Sequence, residues 1–298
     1  MDRRKFLARI TALGCSAAAS PLITPVAFAS APWDARLVVI ILRGAMDGLD
    51  AFRPIGDPDY AALRPTLLKD TIDLTGFFGM HPALSPLRPL WDAGQMGAAH
   101  AVSTPYRDKR SHFDGQDILE AGKPGIEGAG NDGWLNRMLQ VMPNVEGQTA
   151  FAIGREQQLL LSGAAPAARW SPEAQLSLSP QAQLLLALVQ GSDPLFQTAS
   201  AEAIEIAQTV AMTAAQDAQD AGMMMSDPMM QAVNAKAEHV QLADFAAARL
   251  RGDTRIASFS INGWDTHLNQ QGGLQRALRR LSDTILTLRT GLGPDWDK

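Results

Sequence analysis

The chain has 298 residues, 46% of them apolar, and a formal net charge of −5. This length and apolar content predict a folded protein with a large core, and they exclude a disordered chain or a coiled coil. The negative charge and the lack of a basic cluster argue against nucleic acid as a partner, because phosphate binding requires basic patches.

The first thirty residues have the features of an export signal. Arg3 and Arg4 precede an Ala-rich apolar stretch, and residues 27–29 (Ala-Phe-Ala) have the form of a cleavage site. We therefore predict a twin-arginine signal over residues 1–29, recognition by the twin-arginine export machinery, and a periplasmic or secreted protein. An amphipathic surface helix is the alternative interpretation. The single cysteine, Cys15, lies in this segment, where cleavage or lipidation remains open.

Apolar runs predict the strands of the mature domain, residues 30–298. The uninterrupted run Leu37 to Leu42 is rich in β-branched residues and is typical of a central strand buried on both faces. Further strands are predicted at residues 95–102, 149–153, 158–161 and 255–261. The run at 95–102 is expected to be the parallel partner of the first strand. No later run reaches the roughly 18 apolar residues of a membrane span, so no stable span is expected.

Helical patterns lie between these runs. Residues 84–91 and 112–121 have helical spacing, and Gly122 is expected to close the second of these helices. A further helix is expected to begin near Asn131, with an Asn or Asp residue as its N-cap. Residues 274–288 predict a long amphipathic helix. This alternation predicts an α/β fold with a doubly wound, mostly parallel sheet between helices.

Residues 172–251 differ in composition from the rest of the chain. Ala, Gln, Met and Leu dominate, glycine is sparse, and the apolar spacing is helical. We predict a helical layer or cap inserted between strands. Its methionine clusters could bind a soft metal, but unbranched Met more often fills gaps in helix packing.

Polar clusters follow three of the predicted strands. Asp47 and Asp50 follow the first, residues 103–117 follow the second, and Asp265 and His267 follow the strand at 255–261. Because the carboxyl ends of parallel strands meet at one edge of a sheet, we expect these clusters to share a site. Carboxylate with imidazole favours zinc, whereas oxygen ligands alone favour magnesium or calcium.

Each cluster can also be explained by local structure alone, without a catalytic or metal-binding role. Asp47 with Gly48 is a common turn dipeptide, and Asp265 could cap the loop that follows it. Ser111 has the position of a helix N-cap, although an attacking oxygen or a bound phosphate would also gain from a helix start. The recurrence of polar clusters after three strands favours a site. Of the other histidines, two are expected to be structural and one exposed: His81, His100 and His239.

Several motifs together resemble one bacterial family. They are the twin-arginine signal, Arg43-Gly-Ala-Met-Asp-Gly-Leu-Asp50, the segment from Tyr106 to Gln116, Asn131-Asp-Gly-Trp-Leu-Asn136 and Gly263-Trp-Asp-Thr-His267. This combination spans nearly all of the mature chain and resembles the exported family called domain of unknown function fifteen-oh-one. That family looks like a distant member of the alkaline phosphatase and sulfatase superfamily. The resemblance implies an alkaline phosphatase-like fold, a two-metal site and a nucleophile at a helix start.

The resemblance also implies roles for individual residues. Asp47, Asp265 and His267 would be ligands of a divalent metal: zinc, magnesium or calcium. Ser111 would stand near the nucleophile position. Further candidates lie in the same clusters: Asp50, Ser103, Arg110 and His112. Members of the family continue beyond the position of Lys298 with another strand and more ligands, so the resemblance implies a truncated C-terminal portion and an incomplete site.

These observations predict an exported metal-dependent hydrolase of phosphate or sulfate esters. Its substrate would be a small-molecule ester or another anionic compound. Two alternatives stay open, namely a non-catalytic periplasmic binding or envelope protein and an inactive truncated product.

Overall fold

The computed structural model describes residues 34–107, 111–125, 132–171 and 237–298. Its contacts divide the chain into two units, Met1–Ala35 and Arg36–Lys298, and nearly all described residues belong to the second. The predicted signal, most of the predicted helical layer and Arg110 lie outside the described residues.

A four-stranded parallel sheet forms the framework of the second unit. Its strands, in spatial order, are β1 (Leu37–Arg43), β7 (Ile256–Asn262), β5 (Ala150–Ile153) and β6 (Ala168–Trp170). The pairing of β1 with β7 runs from Leu37 opposite Ile256 to Arg43 opposite Asn262. Both strands therefore end at the same level, and the segments that follow them leave the sheet side by side.

In the part of the chain that the structure describes, β1 lies at an edge of this sheet, whereas the sequence predicts a central strand. Among the described residues β1 pairs only with β7, and Ile41 is its only fully buried residue. Residues 95–102, predicted as its other neighbour, do not form a strand. They line an apolar groove of about 1000 Å³ beside β1. Their Gly and Ala residues have low strand propensity, which explains the difference.

A second, smaller sheet was not predicted. Its three antiparallel strands are β2 (Phe52–Arg53), β3 (Ile72–Asp73) and β4 (Gly79–Met80), in the order β2-β4-β3. Strands of two residues are too short to show a period in the sequence. The short helices α1 (Gly48–Ala51) and α2 (Pro58–Leu63) lie between β2 and its neighbours in the chain.

Proline shapes the helix predicted at residues 84–91. The structure has a 3₁₀ helix over Pro82–Leu87, followed directly by α3 (Arg88–Asp92). Pro86 lies inside the first of these and Pro89 at the start of the second. Because proline donates no backbone hydrogen bond, a continuous α-helix is interrupted here.

The structure confirms some of the remaining predicted helices and strands and shows that others were predicted wrongly. Strands β5 and β7 and helix α4 (His112–Ala121), closed by Gly122 at φ +60°, agree with the predictions. The predicted strand at 158–161 is instead a 3₁₀ helix over Leu159–Leu161, because a short apolar run suits either structure.

Helix α5 (Trp134–Gln140) has Gly133 as its N-cap, so the predicted Asn or Asp cap is wrong. A Cβ at Gly133 would lie 2.1 Å from the carbonyl oxygen of Leu160, and only glycine permits this approach. The last two α-helices are α6 (Glu238–Leu250), within the predicted helical layer, and α7 (Gln270–Leu292), as predicted.

Helices pack on both faces of the main sheet. Helices α6 and α7 cover one face, where Phe259 of β7 and Leu288 of α7 share a core cluster. Helix α5 covers the other face, where Leu135 packs with Ile256. The predicted α/β fold with a parallel sheet is confirmed, whereas the alkaline phosphatase-like arrangement stays a prediction. Within the described parts of the chain, no helix is both long and apolar enough to cross a bilayer.

Candidate metal centre

The segments after β1 and β7 touch at the carboxyl edge of the sheet. Gly44 has a φ of +125°, and a Cβ built on it would lie 2.4 Å from the backbone nitrogen of Asp265. Glycine permits both this conformation and this approach. Asp265 therefore leaves β7 directly beside the end of β1, as the strand-end rule predicts.

Three side chains converge at this edge: His112, Asp265 and His267. Asp265 Oδ1 lies 2.9 Å from His267 Nε2 and 3.5 Å from His112 Nε2. Each residue offers one atom that could bind a metal ion, and these three atoms all lie within 4.8 Å of one another. We call these residues the His-Asp-His group. Their side chains are 35%, 40% and 78% exposed in chain order, so an ion has access from solvent.

Local structure places each member of the group. His112 is the first residue of α4, whose start is fixed by the Ser111 cap. Asp265 and His267 lie between β7 and α7, and Asn269, at φ +53°, caps α7 immediately afterwards. The side chains of Asp265 and His267 meet at 2.9 Å in a segment that is not a strand.

The donor set of the group suits a first-row divalent ion. Two imidazole nitrogens and one carboxylate oxygen are ligands that zinc prefers, whereas magnesium and calcium prefer oxygen alone. A four-coordinate zinc ion with bonds near 2.0 Å separates its ligand atoms by about 3.3 Å. The distance of 3.5 Å from Asp265 to His112 is close to this value, whereas the 2.9 Å from Asp265 to His267 is shorter. The group could therefore hold a divalent ion, and the identity of that ion stays a prediction.

Asp47 is not a member of this group. Its Oδ1 accepts a hydrogen bond of 3.1 Å from Leu49 N, and its Oδ2 accepts hydrogen bonds from Arg64 and Gln270. Burial alone would raise the pKa of Asp47. The hydrogen bonds from Arg64 and Gln270 and the charge of Arg64 outweigh burial and hold the pKa below its usual 3.8. Both carboxylate oxygens therefore already have partners.

The lowered pKa of Asp47 predicts a pH dependence of stability. The folded pKa lies below the unfolded one, so ionised Asp47 stabilises the fold above about pH 4, and this contribution is lost as pH falls through the folded pKa. Asp47→Asn should therefore melt below the unmodified protein at about pH 6, and the difference should shrink as the pH falls below about 4. Thermal melts across this range test the prediction, which an equal difference at every pH would contradict.

Asp50 and Ser103 also lie outside the group. Asp50 is 1% exposed, and its Oδ1 accepts hydrogen bonds from Arg53 Nε and NH2 at 3.1 and 2.7 Å. Arg53 also donates to Thr71 Oγ1, so this buried pair joins α1 to the small sheet. Ser103 is exposed and accepts a hydrogen bond of 3.2 Å from Arg107. Neither residue contacts the ligand atoms of the group.

Ser111 is the N-cap of α4. Its Oγ accepts a hydrogen bond of 3.1 Å from Asp114 N, and Tyr106 completes the cap by accepting from Ser111 N and donating to Asp114 Oδ2. The capping interpretation of Ser111 is thus present in the structure. Ser111 directly precedes His112 of the His-Asp-His group in the chain.

The cap predicts the effect of replacing Ser111. Ser111→Ala should lower the free energy of unfolding by about 1 kcal/mol, because the N–H of Asp114 loses its acceptor. Ser111→Asn is the matched control, since asparagine is an equally good cap, and its stability should equal that of the unmodified protein. Urea denaturation measures both. An alanine variant as stable as the asparagine variant would show that the cap contributes nothing.

Arg43, the last residue of β1, was not predicted as a site residue. Its guanidinium donates to Ser260 Oγ and Gln116 Oε1, each at 2.9 Å, and forms ion pairs with Glu120 and Glu156 at 2.7 and 2.6 Å. These partners belong to β7, α4 and the loop after β5. The spacing of four residues from His112 to Gln116 to Glu120 was the sequence signal that could have identified one side of this network.

The three other histidines, His81, His100 and His239, lie outside the His-Asp-His group. His81 is buried and caps the 3₁₀ helix that follows it by accepting from Ala83 N. Burial and the nearby Arg53 lower the pKa of His81. His100 is partly buried, with its Nε2 3.1 Å from Phe52 O. His239 is only 15% exposed, because α6 packs it towards Asp283 of α7, so the prediction of an exposed residue is wrong.

Comparisons with protein-family models, curated proteins and solved structures gave no match. The chemistry of the centre is therefore inferred from its own geometry. The convergence of His112, Asp265 and His267 is the observation on which that inference depends.

Proposed function

We propose that the protein is a metal-dependent hydrolase of phosphate or sulfate esters whose ion is bound by the His-Asp-His group. The main observation in support is that three possible metal-ligand atoms converge within 4.8 Å at the carboxyl edge of a parallel sheet. Open α/β sheets bind their ligands at this edge. Three protein ligands on zinc leave a coordination position for a substrate. A divalent ion bound there would polarise an ester oxygen and stabilise developing negative charge.

The start of α4 supports an anionic substrate. The helix has ten residues, and its positive N-terminal end lies where His112 joins the group. An ester with a phosphate or sulfate group next to His112 would therefore meet favourable electrostatics from both the ion and the helix. The motif resemblance to the alkaline phosphatase and sulfatase superfamily favours the same class of substrate.

Two versions of the reaction differ in what attacks the ester. Ser111 directly precedes His112 in the chain and carries a hydroxyl, and water is the other candidate. Ser111→Asn keeps the cap of α4 and removes the hydroxyl, so it separates the two versions at equal stability. Turnover lost in Ser111→Asn identifies the serine as the attacking group, and turnover retained assigns the attack to water.

We also propose that the protein acts after export by the twin-arginine route, in the periplasm or outside the cell. The paired arginines Arg3 and Arg4 and the Ala-Phe-Ala sequence at 27–29 support this proposal. Fractionation of cells expressing the unmodified chain and a variant with both arginines changed to lysine tests it. Equal export of the two would contradict the assignment.

The central experiment joins metal analysis to an activity screen. The full chain is purified, its metal content is measured, and phosphate and sulfate esters are assayed before chelation, after chelation and after return of Zn²⁺, Mn²⁺, Mg²⁺ or Ca²⁺. We expect zinc in the purified protein and hydrolysis that is lost on chelation and restored by Zn²⁺. Metal binding without hydrolysis would favour the non-catalytic binding protein, and a lack of both would contradict the proposal.

A further inference from the structure

We infer that Arg43 is a positioning residue of the metal centre, which fixes α4 so that His112 faces Asp265. This inference rests on the metal site of the proposed function. His112 belongs to α4, whereas Asp265 follows β7, so the His-Asp-His group forms only if the two elements hold a fixed relation. Arg43 contacts both elements.

One side of the Arg43 network holds the end of β7. Arg43 Nε donates to Ser260 Oγ at 2.9 Å and lies 2.6 Å from Glu156 Oε2. The other carboxylate oxygen of Glu156 accepts a hydrogen bond of 3.0 Å from Asn262 Nδ2. Ser260 and Asn262 are among the last residues of β7, shortly before Asp265. The guanidinium is therefore bound to the strand that presents the carboxylate of the group.

The other side of the network holds α4. Arg43 NH1 donates to Gln116 Oε1 at 2.9 Å, and NH2 lies 2.7 Å from Glu120 Oε1. Glu120 is 1% exposed, and its Oε2 accepts a hydrogen bond of 3.1 Å from Leu160 N. Residues spaced by four lie on one helix face, so Gln116 and Glu120 share the face that carries His112. The contacts of Arg43 with Gln116 and Glu120, which follow His112 along α4, thus orient this face towards the sheet edge.

The shape of the guanidinium makes arginine suited to this role. Its planar fork presents several N–H groups in fixed directions, so one side chain can bind an amide, a hydroxyl and two carboxylates together. Lysine would keep the charge but lose the fork. Without Arg43, Glu120 would be a buried carboxylate without its cation, and α4 would have to move to solvate it. A displaced α4 would carry His112 away from Asp265.

A double-mutant cycle tests whether Arg43 acts through His112. Co²⁺, whose visible spectrum reports its ligands, is titrated into the full chain and into R43M, H112A and R43M/H112A. We expect R43M to bind Co²⁺ about 10-fold more weakly, as for other residues that orient metal ligands. Its spectrum should shift towards that of H112A. The double variant should bind no more weakly than H112A, because both changes remove the same ligand.

Three further variants keep the test decisive. R53M removes another buried ion-pair arginine, 4% exposed, away from the group, so it should lower the melting temperature and leave Co²⁺ affinity unchanged. R43K should not restore affinity, because lysine lacks the fork. Q116A removes one contact without leaving a buried charge, and it should weaken Co²⁺ binding in the same direction as R43M even if R43M fails to fold.

The outcomes separate this inference from the proposed function. Wild-type affinity in both R43M and Q116A would overturn the positioning role while leaving the metal site intact. Additive losses in R43M and H112A would overturn it as well, since Arg43 would then act independently of His112. If the unmodified protein bound no Co²⁺, the proposed metal site itself would be contradicted, and this inference would fall with it.

Discussion

Asp265→Asn is expected to lower the affinity of the protein for Zn²⁺ by more than about 100-fold, the upper range for residues that only support metal ligands. Asp265 is the one carboxylate of the group, and its Oδ1 is near both imidazoles, at 2.9 and 3.5 Å. Asparagine keeps the size of the side chain but provides no negative charge to neutralise the ion. Calorimetric titration with Zn²⁺ at neutral pH measures the loss, and ester hydrolysis should fall with it.

Asp253 provides the matched control for this change. It is an exposed acid in the turn before β7, at the opposite end of the strand from Asp265. Asp253→Asn makes the same chemical change without touching the His-Asp-His group, so Zn²⁺ affinity should stay at the wild-type value. Equal affinities in the two asparagine variants would show that the ion, if bound, is held elsewhere.

Gly44→Ala is expected to lower the free energy of unfolding by about 3 kcal/mol, which places it among the severe single substitutions. The new methyl group would lie 2.4 Å from the backbone nitrogen of Asp265 and 2.9 Å from the carbonyl carbon of Trp264. The φ of +125° adds strain for any residue with a Cβ. Relief requires the segment after β7 to move, so metal affinity should fall together with stability.

Gly48→Ala is the control for Gly44→Ala. A Cβ at Gly48 has no atom within 4 Å, and the residue begins α1, where alanine is favoured over glycine. This variant should be as stable as the unmodified protein or up to about 1 kcal/mol more stable. Urea denaturation of both variants tests the pair, and a small effect at Gly44 would contradict the close backbone approach.

Elements with a clear apolar pattern were predictable from the sequence, whereas their positions in the fold were not. The uninterrupted apolar run from Leu37 is rich in β-branched residues, which favours a strand, and the apolar repeat along α7 has the helical period. Whether β1 is central or at an edge depends on a neighbour, and residues 95–102 combine apolar character with Gly and Ala. An apolar run of that kind can line a groove as well as extend a sheet.

The same distinction applies to the metal centre. Asp265 and His267 could be identified because they directly follow a strand, and local spacing brings them together. His112 required knowledge of where α4 lies against the sheet, so the sequence marked it only as a further candidate. Asp47 also follows a strand, but its partners Arg64 and Gln270 come from distant parts of the chain. No local pattern shows that those residues bind its carboxylate.

The His-Asp-His group is built from segments far apart in the chain, and this separation couples ligand binding to folding. An unfolded chain cannot hold His112 near Asp265 and His267, so an ion bound by all three stabilises only the native state. At a free concentration 100 times its dissociation constant, such an ion would add about 2.7 kcal/mol to the unfolding free energy. A thermal shift that grows with the logarithm of ion concentration would then report occupancy of the centre without any substrate.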